Sequence, residues 1–389
     1  MNVEKIRKDF PVLEQEPKPI YFDNACQSLR PRIVIEKMQE YYNKYPACAG
    51  RSWHEWGQKV TEEIKKARTI AQKFFNARSP DEIIFTKNTT EGINLVANCL
   101  ELKNKKVIIS DKEHNSNLLP WQKLAKTGIK FETAKFGDME DLKKKINGAG
   151  LVSMTMTSNA DGTSIPAKEI IEIAHKNGAL VLLDAAQSAP HQEINVKKLD
   201  ADFLACSGHK MLGPSGTGIL YGKKELLDKM PQFMVGGETV KDSTYTTSEP
   251  EKAPEKFEAG LQNYSGIIGL GAAMDYLKKI GLDEIHRHEI ALNKKITDAI
   301  GDKVQLIGPK DAEKRSGIFS FNINKMNPHD VSMLLSKSHN IMTRSGMHCV
   351  HSWFHANNLP GSCRASLYLY NTEEECDVFI EAVKKLLAF

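Results

Sequence analysis

The chain has 389 residues, of which 41% are hydrophobic and 26% are charged, and its formal net charge is +4. This composition is typical of a globular protein, and the length exceeds the usual size of one hydrophobic core, which predicts two domains. The small net charge, with no dense Lys/Arg block between aromatic residues, gives nucleic-acid binding little support.

Targeting signals and cysteine usage indicate where the protein works. No apolar run approaches the length of a membrane span, and residues 1–7 lack the apolar core of a signal peptide. The seven cysteines have no regular spacing, which fits reduced thiols better than a disulfide framework. We therefore expect a cytoplasmic protein that binds neither membrane nor nucleic acid.

The first eighty residues predict an arm followed by helices. Residues 1–17 are polar and punctuated by proline, as in an arm rather than a domain. Residues 33–45 carry a loose helical stripe, and residues 61–76 form a convincing amphipathic helix. The polar and aromatic segment 49–56 between them fits a loop that lines a site about as well as a rim loop without a role.

Short apolar strands then alternate with helices. Strands are predicted at residues 82–86, 107–110, 151–157, 179–183 and 203–206. These runs are continuously apolar, which indicates a mostly parallel sheet covered by helices on both faces. Residues 266–300 are predicted to be helical and to lead into a second unit of strands and helices. The prediction is thus an arm over 1–17, a large doubly wound α/β domain over 18–280, and a smaller α+β domain over 281–389.

One lysine stands at a position that favours nucleophilic chemistry. Lys210 closes the sequence Ser-Gly-His-Lys, which follows the apolar run 203–206 and precedes the Gly-rich segment 211–218. A lysine placed there loses hydration, which disfavours the ammonium and leaves the amine that an aldehyde cofactor needs. Taken alone, the tetrapeptide fits an ordinary surface lysine better, so the interpretation depends on partners elsewhere.

Polar residues at the ends of the predicted strands supply such partners, because ligands of doubly wound sheets lie outside the carboxyl ends of the strands. Thr89 and Thr90 at a helix start suit a phosphate. Asp184 can pair with a pyridine nitrogen, so that the ring withdraws electrons. Each residue also has an ordinary interpretation: Thr89 as a helix cap and Asp184 as a turn residue.

The same strand ends carry groups for the rest of a pyridoxal phosphate (PLP) molecule. Asn159 or Gln187 can hydrogen-bond its phenolic oxygen, and His114 can stack on its ring, although a polar loop residue is the simpler interpretation of His114. Five such groups on successive strand ends are difficult to explain as independent turn residues. Together they predict that Lys210 anchors PLP.

At this point the sequence resembles a known family, the class V, fold-type I PLP enzymes, and within it the SufS-type (group II) cysteine desulfurases and selenocysteine lyases. The matching segments run almost end to end: 76–79, 89–98, 113–114, 158–159, Asp184, 186–187, 207–210, 257–260, 363–367 and 370–372. The resemblance implies Lys210 as the Schiff-base lysine, Asp184 on the pyridine nitrogen and His114 as the stacking, proton-handling residue. It places Asn159 and Gln187 at the phenolic oxygen, and Thr89, Thr90, Ser207 and His209 around the phosphate.

The segment Arg-Ser-Gly-Met-His-Cys that ends at Cys349 separates the reaction types. In the similar enzymes the cysteine at this position takes the substrate's sulfur as a persulfide, and nearby His348 or Arg344 can favour the thiolate that this attack needs. Arg364 matches the arginine that grips the substrate carboxylate. We predict that Arg344, Asn24 and Ala25 also contact the substrate.

The implied function is conversion of L-cysteine to L-alanine by a PLP-dependent homodimer, with sulfur delivered from Cys349 for iron–sulfur cluster assembly or another use. The short interval from Cys349 to Arg364 resembles group II enzymes and predicts transfer to a docked acceptor protein. Selenocysteine lyase, another class V activity (an aminotransferase, a kynureninase-like hydrolase or an epimerase) and an inactive scaffold are the alternatives. A nicotinamide-dependent oxidoreductase would need a Gly-rich turn after an early strand, which is not seen.

Two positions depart from the family pattern. Leu261 stands where the family usually has a threonine implied to reach the partner subunit's phosphate, so that hydrogen bond is missing or replaced by Gln262. Cys349 is followed by a histidine-rich stretch in which His351 and His355 would share one face of a helix. A metal site there is disfavoured because no carboxylate or second thiol stands at a matching spacing, and a polar wall of the substrate channel is the preferred interpretation.

Overall fold

Helices and strands alternate along most of the chain. The structure is a computed structural model that describes residues 1–102 and 106–388. Its helices are α1 Val3–Arg7, α2 Arg32–Lys44, α3 Glu55–Phe74, α4 Thr89–Cys99, α5 Asn115–Ala125, α6 Met139–Lys145, α7 Ala167–Lys176, α8 Val196–Leu199, α9 Lys224–Lys229, α10 Tyr264–Ile280, α11 Leu282–Ile300, α12 Pro328–His339, α13 His351–Ala356 and α14 Glu373–Leu386. Among these helices, none combines the length and the apolarity that a bilayer crossing requires.

The strands are shorter, and most occupy two sheets. They are β1 Ile20–Tyr21, β2 Ile83–Thr86, β3 Lys106–Ser110, β4 Lys130–Ala134, β5 Leu151–Thr155, β6 Leu180–Asp184, β7 Phe203–Ser207, β8 Gly218–Gly222, β9 Val240–Ser243, β10 Ser248–Pro250, β11 Gln305–Ile307, β12 Ile318–Asn322, β13 Ile341–Met342, β14 Arg344–Gly346 and β15 Ser362–Ser366. The predicted strands and helices of the large domain all have counterparts here.

The larger sheet positions the site. In the described part of the chain it has the order β2-β8-β7-β6-β5-β3-β4, and the pairs among β3 to β7 are parallel. β8 runs antiparallel to both of its neighbours. Every residue of β5, β7 and β8 is buried, because helices cover both faces of the sheet. The carboxyl ends of β3, β5, β6 and β7 therefore meet at one edge, as the continuous apolar runs predicted.

The smaller unit is an antiparallel sheet with helices packed against it. Its order is β11-β12-β15-β14, and a cluster of aromatic and aliphatic side chains joins it to α11, α12 and α14. Phe319, Phe321 and Phe379 pack with ring centroids 5.3–6.4 Å apart at the centre of this cluster. The predicted α+β character of the C-terminal part is thus what the structure has.

The N-terminal segment differs from the predicted division at residue 18. β1 pairs in parallel with β13, and Phe22 is fully buried in the core of the smaller unit. The segment 1–17 is also anchored, since Phe10 is fully buried and packs edge-on against Tyr370 at 4.7 Å. A few apolar residues in this mostly polar part of the chain pack into the cores of both units. The average composition of the stretch does not show this, because the apolar residues are isolated.

A buried ion pair holds the large domain together beneath the sheet. Arg68 of α3 donates two hydrogen bonds of 2.8 Å to the carboxylate of Glu258, which also accepts the backbone N–H of Phe85 at 2.7 Å. Both charged residues are less than one tenth exposed. The Glu-Ala-Gly motif that ends at Gly260 is therefore a structural tie between α3, β2 and the chain before α10.

Removing one member of this pair is expected to destabilise the fold. Glu258→Ala leaves the guanidinium of Arg68 buried without a counter-charge, which should cost about 3–5 kcal/mol of unfolding free energy. A drop in the thermal midpoint measured by circular dichroism checks this. Glu249→Ala, which removes an exposed partner of Lys241, is the matched control and should leave the midpoint unchanged. Equal midpoints for the two variants would contradict the assignment.

Candidate active site

A cavity of about 230 Å³ opens at the carboxyl ends of the central strands. It collects all but one of the predicted site residues: Ala25, Thr89, Thr90, His114, Asn159, Asp184, Gln187, Ser207, His209, Lys210, Arg344, Cys349 and Arg364. They come from both the large sheet and the smaller unit, so the cavity lies between the two. The exception is Asn24.

Lys210 and Asp184 carry opposing charges into the cavity. Lys210 ends the short 3-10 turn after β7, and Asp184 is the last residue of β6, where its carboxylate accepts the N–H of Ala186 at 2.9 Å. Removal from water lowers the pKa of Lys210 and raises the pKa of Asp184, while their mutual attraction opposes both shifts. The amine of Lys210 is thus shifted toward its neutral, nucleophilic form.

Hydroxyls and backbone N–H groups converge at the start of α4. Thr89, which is buried, donates its N–H to Ser207 Oγ at 2.9 Å, and the two hydroxyls are 2.6 Å apart. The Thr90 hydroxyl lies 2.7 Å from that of Ser116, and burial lowers the pKa of His209 to about 4. The N-terminus of α4 with these fixed hydroxyls is a site for an anion such as a phosphate.

The chemistry of these groups fits PLP. The start of α4 provides for the phosphate, Asp184 for the ring nitrogen, and Lys210 for the aldehyde. The side-chain amide of Asn159 donates to the carbonyl of His348 at 2.7 Å, and that of Gln187 donates to the carbonyl of Ala25 at 2.7 Å. Each amide has a second N–H, which is the donor that a phenolic oxygen requires.

His114 is held as a neutral imidazole with a defined tautomer. Its Nδ1 accepts the backbone N–H of Ser116 at 3.1 Å and so caps α5. Burial lowers its pKa to about 3, and the charge of Lys210 contributes to this shift. With Nδ1 accepting, the ring proton lies on Nε2. His114 can therefore stack on a ring and donate from Nε2 at neutral pH.

Glu113, directly before His114, ties three elements together beneath the cavity. Its buried carboxyl accepts the N–H of Thr155 at 3.0 Å, the side-chain amide of Asn117 at 2.7 Å, and the hydroxyl of Ser110. Burial raises its pKa from 4.5 to about 7, although these hydrogen bonds oppose the shift. The folded chain thus keeps a proton at a pH at which the unfolded chain has lost it.

This difference predicts a pH effect on stability. As the pH rises from 4.5 through 7, the unfolding free energy should fall by about 3 kcal/mol because of Glu113 alone. Glu113→Gln cannot titrate, so its thermal midpoint should fall less steeply across this range than that of the wild type. The exposed Glu140→Gln variant should keep the wild-type slope. An unchanged slope in Glu113→Gln would contradict the prediction.

Two arginines line the side of the cavity that faces the smaller unit. Arg364 is 1% exposed, donates to the carbonyl of Asn159 at 2.8 Å, and lies 3.4 Å from a carboxylate oxygen of Asp23. Arg344 donates to the sulfur of Cys26 at 2.8 Å. Two guanidinium groups beside Lys210 are suited to bind a carboxylate, which is the role predicted for them with an amino-acid substrate.

Asn24 does not line the cavity, contrary to its predicted contact with the substrate. Its side-chain amide donates to the carbonyl of Ser366 at 2.7 Å and to Asn371 Oδ1 at 3.1 Å, while its oxygen accepts the hydroxyl of Tyr370. These bonds fix the turn that presents Ala25 to the cavity. Asn24 therefore positions the wall rather than forming it, because its polar atoms are already committed.

Cys349 sits in a sharp turn between β14 and α13. His348 and Cys349 have φ angles of +49° and +60°, and the carbonyl of Cys349 accepts the N–H of Asn115 at 2.7 Å. The His348 ring bonds to Ser362 Oγ at 2.9 Å, and burial lowers its pKa well below the usual value. His348 is thus neutral and cannot be the cation that supports a Cys349 thiolate. Of the two predicted candidates for that cation, only Arg344 remains.

The positions that depart from the family pattern are not among the residues that line the cavity. His351 and His355 share the short helix α13, as predicted, but both are exposed, and His351 Nδ1 lies 3.0 Å from Asn115 Nδ2. Neither histidine is among the residues that line the cavity. Within residues 1–102 and 106–388, no three His, Cys, Asp or Glu side chains are grouped so that they could hold a metal ion.

Leu261 is 72% exposed. The side-chain amide of Gln262 donates to the carbonyls of Ala259 and Gly260, at 3.0 and 3.1 Å. The side-chain amide of Gln262 therefore contacts its own turn.

The cavity also contains residues that the sequence does not predict to line it. These are Cys26, Asn88, Ser116, Thr155, Ala186 and His348 as a wall residue. Asn88 accepts the N–H of Glu91 at 3.0 Å and was recognisable as the cap that precedes Thr89. Cys26 had a weaker signal, its place directly after Asn24-Ala25.

The parallel sheet, the lysine beside a buried aspartate and the anion site at a helix start define a PLP-dependent enzyme of fold type I. The family model for class V aminotransferases matches residues 20–379. The chain belongs to this family, within its cysteine desulfurase group.

Similar proteins carry that name. A probable cysteine desulfurase of Pyrococcus abyssi is 41% identical, covering 99% of this chain and 97% of the relative. The cysteine desulfurase of Escherichia coli O8 is 38% identical, with 99% and 98% covered. The apo structure of a cysteine desulfurase from Thermococcus onnurineus NA1 matches with a TM-score of 0.95 and 41% identity, covering 99% of this chain and 98% of that one.

Proposed function

We propose that this enzyme removes the sulfur of L-cysteine, takes it onto Cys349 as a persulfide and releases L-alanine, with PLP held on Lys210. The observation that carries the proposal is the common cavity of Cys349, Lys210 and Arg364. Names of similar proteins support the substrate, since they are cysteine desulfurases. A class V aminotransferase has no need of a thiol in this wall.

Each part of the cavity has a task in this reaction. When bound, PLP supplies an electron-withdrawing ring that activates the amino acid. Arg364 and Arg344 bind the substrate carboxylate, and the amine of Lys210 accepts and returns protons at the carbon atoms. His114 donates a hydrogen bond from Nε2. The buried Asp184 balances a positive charge on the ring nitrogen.

The sulfur step is a displacement at the substrate's sulfur atom. The thiolate of Cys349 attacks this atom, an S–S bond forms, and the C–S bond breaks. The carbon that loses sulfur gains a proton, so L-cysteine and a thiol give L-alanine and a persulfide. The balance needs no outside oxidant or reductant.

The persulfide is then passed to an acceptor protein that docks at this site, as in group II enzymes. The support comes from the segment after Cys349, where Val350 and Phe354 are fully buried and pack with Ala160. A segment anchored in this way limits how far Cys349 can reach, so the acceptor must approach the cavity. Use of the sulfur for iron–sulfur cluster assembly, a homodimer and a cytoplasmic location are part of the same proposal.

Product analysis tests the activity directly. The PLP-loaded enzyme is given L-cysteine and a dithiol reductant, and alanine and sulfide are expected in equal amounts. Formation of a keto acid instead of alanine would indicate an aminotransferase, and no product would indicate an inactive scaffold. A parallel reaction with L-selenocysteine distinguishes a lyase, which would release alanine from selenocysteine but not from cysteine.

A further inference from the structure

Two of the seven cysteines line the active-site cavity, and only one of them has a role so far. Cys26 and Cys349 are both partly exposed in its wall. Cys48 is exposed elsewhere on the surface, and the remaining cysteines are buried: Cys99, Cys206, Cys363 and Cys376. Cys26 is therefore the one other thiol that a small molecule in the cavity can meet.

Cationic groups surround the sulfur of Cys26. Arg344 Nη1 donates to it at 2.8 Å, and Lys210 and Arg364 lie close enough for their charges to interact with it. A thiolate, the form that attacks sulfur, is attracted by such neighbours. Cys26 thus lines the cavity beside the arginines and the lysine that would bind the substrate.

The backbone brings Cys349 to the same cavity. Arg344 begins β14, and Cys349 follows after a turn in which Gly346, His348 and Cys349 have φ angles of +109°, +49° and +60°. The residue that bonds Cys26 is therefore in the segment that presents Cys349. Cys26 and Cys349 therefore line one cavity, and Arg344 lies in the segment that carries Cys349 and contacts Cys26.

Unpartnered polar atoms indicate that the cavity binds a polar ligand beside both thiols. His348 is 5% exposed and Arg364 is 1% exposed, and both line the cavity. In the part of the chain that the structure describes, Nδ1 of His348 and Nε of Arg364 find no hydrogen-bond partner. Buried polar atoms of this kind are normally satisfied by a ligand or by water.

We propose that Cys26 is a second sulfur carrier, which takes the outer sulfur of the Cys349 persulfide by thiol–persulfide exchange. The inference rests on the proposed function of Cys349. The thiolate of Cys26 attacks the outer sulfur, a new S–S bond forms to Cys26, and the bond to the sulfur of Cys349 breaks. Cys349 leaves as a thiolate, the outer sulfur keeps its proton, and no electron is gained or lost. The regenerated Cys349 then accepts sulfur from a second molecule of cysteine.

The proposal predicts how much sulfur one subunit stores. PLP-loaded enzyme is mixed with excess L-cysteine without an acceptor or reductant, and the initial burst of alanine is measured. The wild type should give two alanines per subunit, with persulfides on the peptides of Cys26 and Cys349 after alkylation and mass spectrometry. Cys26→Ala and Cys26→Ser should each give one. Cys48→Ser, which removes a thiol outside the cavity, should still give two.

Other outcomes overturn the inference in distinguishable ways. A burst of one in the wild type, with Cys26 unmodified, overturns the second carrier and leaves the function of Cys349 in place. A Cys26–Cys349 disulfide with release of sulfide also overturns it, because Cys26 would then have attacked the inner sulfur. A persulfide on Cys26 in Cys349→Ser contradicts the order of transfer and the proposed role of Cys349. No alanine from the wild type contradicts the proposed function itself.

Discussion

Lys210→Ala is expected to lower the rate of alanine formation from L-cysteine by about 10³-fold or more. The substitution removes the amine that lies beside Asp184 in the cavity, and no other described lysine lines this cavity. Under the proposed function, the variant loses both the anchor for PLP and the base that moves protons at the substrate carbons. Alanine release under saturating PLP measures the effect.

The control separates loss of chemistry from loss of folding. Lys126→Ala removes an exposed lysine after α5 and should retain the wild-type rate. Lys210→Met keeps the apolar stem of the side chain, so its thermal midpoint should remain close to that of the wild type while its activity is lost. A rate above one tenth of the wild-type value in either Lys210 variant would contradict the role of this lysine.

Much of the large domain was predictable because its signals are local. A strand buried on both faces must be continuously apolar, so β5, β6 and β7 are visible as runs in the sequence. Chain topology then fixes where such strands end, because parallel strands place their carboxyl ends at one edge. For that reason Asp184 and Lys210 were selected together from the sequence, and the structure places both in one cavity.

Features that depend on pairing between distant segments were not predictable in this way. β1 has only two residues, and its partner β13 lies more than three hundred positions away, so no local pattern marks it as part of the smaller unit. The neutral state of His348 was not predictable either, because it also depends on distant segments. It follows from burial and from the contact with Ser362, neither of which the neighbouring residues in the sequence specify.

Single residues in the cavity wall also depend on distant segments and were not predictable from their neighbours in the sequence. Asn24 and Cys26 are two positions apart, and the sequence predicts substrate binding for the first and no role for the second. The structure commits Asn24 to Ser366 and Asn371, and turns Cys26 toward Arg344. Which side chain of a turn faces a cavity depends on the partner segments, here β15 and β14.

Cys349→Ser is expected to abolish sulfur transfer while leaving PLP binding intact. The serine hydroxyl cannot take the sulfur to form a persulfide as the cysteine thiolate does. Alanine formation from L-cysteine should therefore fall by about 10³-fold or more. Cys349 is separate from the groups that fit the cofactor, which lie at Asp184, Lys210 and the start of α4. The visible absorbance of the bound cofactor should therefore match that of the wild type.

The comparison with Cys48→Ser makes this result specific, because both variants lose one partly or fully exposed thiol and only Cys349 lines the cavity. The Cys48 variant should keep the full rate and transfer sulfur to a thiol acceptor. Undiminished transfer by Cys349→Ser would contradict the proposed route, since another thiol would then take sulfur from the substrate. Mass spectrometry of the alkylated Cys26 peptide would show whether Cys26 is that thiol, so the two cysteines of the cavity can be assigned separately.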